Sequence, residues 1–141
     1  MRYALLLLLN MNKEVLLLKR CNTTFGNEQY SMSGGKVEAN ETARQAIIRQ
    51  AFEELNIKIK SENLEFVHLL FRKGNDNIIF DAGCFKATKW EGSLKNQEPE
   101  KCSKINWFKL DNLPENILTA HKQIIELVQK NTYYSEHGFV D

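Results

Sequence analysis

Glu53 and Glu54 are adjacent acids that follow Arg49 within one helical turn or so, and a Gly34-Gly35 pair and Glu41 precede them. Neighbouring carboxylates repel one another unless a cation lies between them. Hard oxygen donors select Mg2+ or Mn2+, and magnesium characteristically joins a few protein carboxylates to the phosphates of a bound molecule. The pattern points to divalent-metal phosphate chemistry, with the glycines letting backbone come close to a ligand. Gln50 is the discordant residue. Its amide oxygen can coordinate a metal or orient a water, but it carries no charge and takes up no proton near neutral pH.

Positioning these groups requires a helix over about 42–55. At about 100° per residue, Ile47, Ile48, Ala51 and Leu55 gather on one side with Phe52 at its edge, and Arg49, Gln50, Glu53 and Glu54 fall opposite. Asn40 or Thr42 caps its start. A solvated surface helix shows the same division of charge. The glycine pair, the cap and the paired acids favour a site over such a face.

The remaining elements read as strands at 3–9 and 14–20, a polar loop at 21–30, and a strand near 57–60. Segments 64–73 and 77–88 are joined by Gly74-Asn75-Asp76-Asn77, a hairpin signal. A polar stretch at 89–103, a strand at 105–110 and a helix at about 117–130 complete the chain. The first two strands are expected to form a hairpin about Asn10-Met11-Asn12-Lys13. The order predicts an α+β class with a mixed sheet between helices, in one domain over 1–141.

Composition sets further bounds. The chain has 141 residues, 43% hydrophobic and 26% charged, with a formal net charge of +1. No global basic field points to nucleic acid or to a membrane surface. The apolar run Ala4 to Leu9 is far shorter than the roughly 20 residues of a membrane-spanning helix. Cys21, Cys84 and Cys102 lack C-x-x-C spacing and read as reduced intracellular thiols, which suggests the cytoplasm. His68, His121 and His137 share no metal spacing, and His68 in a strand reads as a satisfied core residue. Trp107 and Phe108 read as core rather than as a stacking platform, while Tyr133-Tyr134 fits either the sheet or a pocket rim.

The segment from Gly35 to Ile57 resembles the Nudix box: Gly, five residues, Glu, seven residues, then Arg-Glu-hydrophobic-x-Glu-Glu-x-Gly-hydrophobic. Gly35, Glu41, Arg49, Ala51, Glu53, Glu54 and Ile57 stand at its spacing. The apolar first strands, the Ser-Gly-Gly lead-in, the acidic loop before Trp107-Phe108 and Leu113-Pro114 extend the likeness over the chain. Two positions depart. Asn56 replaces the box glycine, where a left-handed residue ends the helix and Asn is the next best choice. Gln50 replaces a glutamate.

The resemblance implies a Nudix-type α/β/α sandwich with a central mixed sheet, and hydrolysis of a nucleoside diphosphate linked to another group. It implies that Glu53, Glu54 and the Gly35 carbonyl hold Mg2+ (or Mn2+), and that Arg49 orients the carboxylates with Glu41 in support. Gln50 occupies a position that ligates metal and sometimes acts as base in the family. Glu98, in the loop Asn96-Gln97-Glu98-Pro99-Glu100, is the candidate further metal ligand or substitute base. Gly34, Gly35, Tyr30 and Phe71, with Phe25, are the candidate contacts to a small-molecule nucleotide. The size resembles MutT-type members that convert a nucleoside triphosphate to a monophosphate and pyrophosphate. ADP-ribose or nucleotide-sugar pyrophosphatases and a catalytically weakened nucleotide-binding module are the alternatives, and members of this size are often homodimers.

Overall fold

The computed structural model describes residues 1–139. The long apolar run near the N-terminus forms β1 (Arg2–Leu8), and the next forms β2 (Glu14–Arg20). Both are buried on two faces, which is why neither shows the alternation of a half-exposed strand. The tight turn between them holds: Asn10 N–H donates to the Glu14 carbonyl and Lys13 N–H to that of Asn10. The expected hairpin does not continue. After one bridge between Leu9 and Val15 the strands part into different sheets.

The larger sheet has the order β4-β1-β6-β5-β8 and the smaller β3-β2-β7. The further strands are β3 (Tyr30–Ser31), β4 (Ser33–Lys36), β5 (Glu65–Lys73), β6 (Ile79–Ala87), β7 (Cys102–Lys109) and β8 (Tyr134–His137). β1 pairs antiparallel with β4 but parallel with β6, so the sheet is mixed. The helices are α1 (Ala43–Leu55) and α2 (Thr119–Gln129). The segment at 57–60 is extended, with Ile57 and Ile59 buried, but it meets only Glu91 through a single bridge at Lys58 and forms no strand.

Alternating residues of the central strands feed two cores. Ala4, Leu6 and Leu8 join Ala46, Ile47, Ala51 and Leu55 of α1. Leu5 and Leu7 join Ala120, Ile124 and Ile125 of α2. The period of two along β1 thus places one helix on each side of the strands, an α+β sandwich. Among the described residues no helix is long and apolar enough to cross a membrane.

α1 begins at a complete capping box. Thr42 Oγ1 accepts from Gln45 N–H, and Gln45 Oε1 accepts from Thr42 N–H. It ends at Asn56, which is left-handed at φ 62° and donates its side-chain amide to the Ser93 carbonyl. Asn56→Gly should change stability by only a few tenths of a kcal/mol, while Asn56→Ala should cost about 1 kcal/mol because a Cβ disfavours that backbone. Chemical denaturation of the two variants distinguishes these outcomes.

Candidate active site

The helix flank read as one charged face is divided. Glu53 is half exposed and pairs with Arg49 at 3.4 Å. Glu54 turns inward to β4, where its Oε1 accepts from Ser33 Oγ at 2.5 Å and from Gly34 N–H at 3.2 Å. Gln50, one turn before Glu54, lies directly over Gly35. A Cβ on Gly35 would come within 2.5 Å of Gln50 Nε2, so this glycine makes room for the residue at 50. Gly34, at φ 148°, is needed for another reason: a Cβ there would strike the Ala4 carbonyl of β1.

Arg49 ties the box together. It grips Glu41 side-on, through Nη2 at 2.6 Å and Nε at 3.1 Å, donates to the Lys36 carbonyl, and reaches Glu38 and Glu53. Its hydrogen bond to Glu41 is the main reason the Glu41 carboxyl is held below the usual range. The arginine thereby fixes the loop 36–41 against the helix that carries the acids.

Glu98 reaches the same place because α1 needs its last carbonyls satisfied. Lys95 N–H donates to the Leu55 carbonyl, Gln97 N–H to that of Glu54, and the Gln97 amide to that of Phe52. This strap docks the loop on the helix end and leaves Glu98 half-buried, its charge felt by Glu54. Burial above all pushes the Glu54 carboxyl up to about 7; Ser33 and Gly34 oppose the rise, and Glu98 and Glu53 add to it. Among the described residues no three acid, histidine or cysteine side chains converge at metal-ligand spacing. The hard oxygens of Glu54 and Glu53, the Gln50 amide and the nearby backbone still suit a cation that keeps waters and takes up phosphate oxygens. Extra acids around a half-buried carboxylate also give a divalent cation charge to neutralise.

Beside this group opens a cleft of about 640 Å3 whose lining includes Gly34 and Gly35 and also Gly74, Asn75 and Asp76. Two expected contacts lie elsewhere. Tyr30 is buried, its ring edge-on to Phe108 at 5.0 Å. Phe71 is not among the lining residues, because its neighbours Leu70 and Arg72 take the cleft side of β5. Phe25 does line the cleft. Trp107 packs with Trp90 against the α1 core, and His68 is buried between the Thr132 carbonyl and Ser135 Oγ.

Arg20, Arg72 and His121 also line the cleft, and the motif did not point to them. His121 Nδ1 accepts from Met32 N–H at 2.9 Å. Burial first, then the charges of Arg20 and Arg72, push its pKa down to about 3, so the ring is neutral at ordinary pH. Its signal was a histidine in register with Ile124, Ile125 and Val128 on the apolar stripe of α2. An unfolded histidine takes its proton near pH 6.5, so below that pH the unfolded chain binds more protons and the folded state loses stability. His121→Gln keeps an acceptor for Met32 and removes the titration. As pH falls from 6.5 toward 4, denaturation curves should therefore shift in favour of the variant, relative to wild type, by about 1.4 kcal/mol per pH unit.

The family profile described as the NUDIX domain matches residues 1–128. The NAD-capped RNA hydrolase NudC of Pectobacterium atrosepticum is 31% identical over 102 residues, which cover 72% of this chain and 36% of that protein's length. The crystal structure of a MutT Nudix hydrolase from Burkholderia pseudomallei superposes with a TM-score of 0.81 at 22% identity, over 89% of this chain and 95% of that one. The Nudix domain of Shewanella oneidensis NrtR, solved in complex with ADP ribose, gives 0.73 at 18% identity, over 92% and 86%. At such identities the structural likeness speaks for the fold, while the profile covers almost the whole chain. The chain belongs to the Nudix family.

Proposed function

We propose that this protein is a divalent-metal-dependent pyrophosphohydrolase acting on a nucleoside diphosphate linked to another group, most simply a nucleoside triphosphate cleaved to the monophosphate and pyrophosphate. The observation that carries this reading is Glu54 turned in against β4, with Gln50 over Gly35 and the charges of Glu98 and Glu53 felt there, beside a cleft lined by arginine and aromatic side chains. Glu53, Glu54 and the Gly35 carbonyl would hold Mg2+ (or Mn2+), which when bound would neutralise phosphate charge and lower the pKa of the attacking water. Arg20, whose Nε donates to the Phe25 carbonyl, keeps its other nitrogens for the phosphate chain. Arg49 positions Glu53 and the loop of Glu41. Glu98 is the candidate to accept the water's proton where Gln50 does not. Three free cysteines, two of them buried, suit a reducing cytoplasm.

A nucleotide-binding module with weakened chemistry is the second reading, and Gln50 is its specific support. The ADP ribose complex of the similarly folded NrtR domain lends it a structural parallel. A panel of nucleoside triphosphates, nucleotide sugars and ADP-ribose, assayed with Mg2+ for phosphate or pyrophosphate release, separates the readings. Nucleotide binding without turnover in both wild type and Gln50→Glu overturns the enzyme. Unchanged turnover in Glu98→Gln removes that residue from the mechanism.

A further inference from the structure

Arg72 is a cation with no ordinary partner. No ion pair or hydrogen bond engages its side chain among the described residues, and its Nε is buried without an acceptor. Its guanidinium carbon lies 5.1 Å from the centre of the Phe25 ring and 5.6 Å from that of Phe80, two rings that also line the cleft. A guanidinium packed against rings still donates from the in-plane edge of its fork to paired acceptors lying in that plane. His121 is the second such group. It is nine-tenths buried, and Met32 N–H fixes Nδ1 as the acceptor, so the neutral ring carries its proton on Nε2. Nε2–H meets no protein acceptor among the described residues, in a side chain that lines the cleft.

The charge around these donors distinguishes the ligand's parts. Arg20, near enough to the box to feel the charge of Glu54, is the cation assigned to the phosphate end. Around Arg72, the Asp76 carboxylate offsets the cation and would repel a second phosphate. The adjoining walls are apolar or aromatic, from Leu5, Leu70, Phe80 and Leu118. An uncharged flat group with adjacent acceptors matches this chemistry, and the O6 and N7 edge of a 6-oxopurine is such a group. Adenine puts an amino donor where the oxygen would be, against donors already in place.

We infer that Arg72 and His121 form a base-reading recess that selects a 6-oxopurine nucleotide, guanine or hypoxanthine, over adenine. The inference rests on the nucleotide-binding part of the proposed function and needs no turnover. It is tested by calorimetric titration of the whole chain in EDTA with IMP, GMP, AMP and ribose 5-phosphate. Wild type should bind IMP and GMP about 10- to 100-fold more tightly than AMP, the discrimination that a well-placed bidentate arginine gives. Arg72→Gln should abolish that preference, because a glutamine amide pairs with the adenine edge and no longer with two acceptors, and should leave ribose 5-phosphate unchanged. Arg72→Lys, which keeps the charge and a donor but lacks the fork, should retain only part of the preference. His121→Gln should weaken IMP more than AMP.

Absence of base-dependent binding in wild type overturns the inference, as does a preference unchanged in both Arg72 variants. Equal weakening of all four ligands in Arg72→Gln would make this residue a phosphate anchor and also overturn it. If binding is selective but the Mg2+ assay finds no hydrolysis, the recess stands and the enzymatic reading falls.

Discussion

Gln50→Glu should raise turnover with Mg2+ by about a hundredfold, the lower end of the range that a positioned proton-transfer carboxylate contributes. The side chain already lies over Gly35 and one turn from Glu54, so the substitution changes charge and basicity with little change in shape. The same carboxylate should destabilise the metal-free protein. It would add a negative charge near the buried Glu54, which already feels the charges of Glu98 and Glu53. Melting curves should therefore show Gln50→Glu below wild type in EDTA, with a larger gain than wild type on adding Mg2+. Turnover equal to wild type would mean that the base comes from elsewhere, and Glu98→Gln would then be the decisive variant. A gain without any change in the metal response would contradict the placement of residue 50 beside the ion.

The box helix was legible because a short motif on a 3.6-residue period determines its own neighbours. The capping Thr42, the left-handed Asn56 and the inward row Ile47, Ala51, Leu55 all follow local rules that the structure keeps. What lay beyond those rules was partner choice. β1 and β2 have a true turn between them, but strands buried on both faces carry no alternation to specify which edge each will pair with. The site divides along the same line. Glu98 was visible as an acid in a polar loop, while the force that brings it to Glu54 is the unsatisfied end of α1, filled by Lys95 and Gln97. Arg20, Arg72 and His121 come from β2, β5 and α2 and meet only through the fold. Arg72 shares the inward parity of Leu70, but a bulge between Phe66 and His68 obscures that parity in the sequence.

Glu54→Gln should reduce turnover by about three powers of ten, since the several kcal/mol of charge stabilisation a bound metal gives depends on this ligand. It should also make the metal-free protein more stable. The amide still accepts from Ser33 Oγ and Gly34 N–H, and the buried charge is gone. The wild-type carboxyl, pushed up to about 7 from an ordinary 4.5, is the reason. Between those values the folded chain holds a proton that the unfolded chain has released, so folding stability falls as pH rises and the full cost is present above pH 7. That cost is on the order of 3 kcal/mol at pH 8, and the variant escapes it. His121 runs in the opposite sense from pH 6.5 downward, so over about pH 4.5 to 6.5 the two groups offset one another. Metal-free wild type should therefore show little pH dependence from these groups in that window. Glu54→Gln should gain stability with rising pH there, as the histidine acts alone. Denaturation of both proteins in EDTA across pH 4.5 to 8 reads this directly. A Glu54→Gln protein less stable than wild type at pH 8 would mean that the carboxylate is held by its hydrogen bonds more strongly than burial opposes it, and that the site needs no cation to exist.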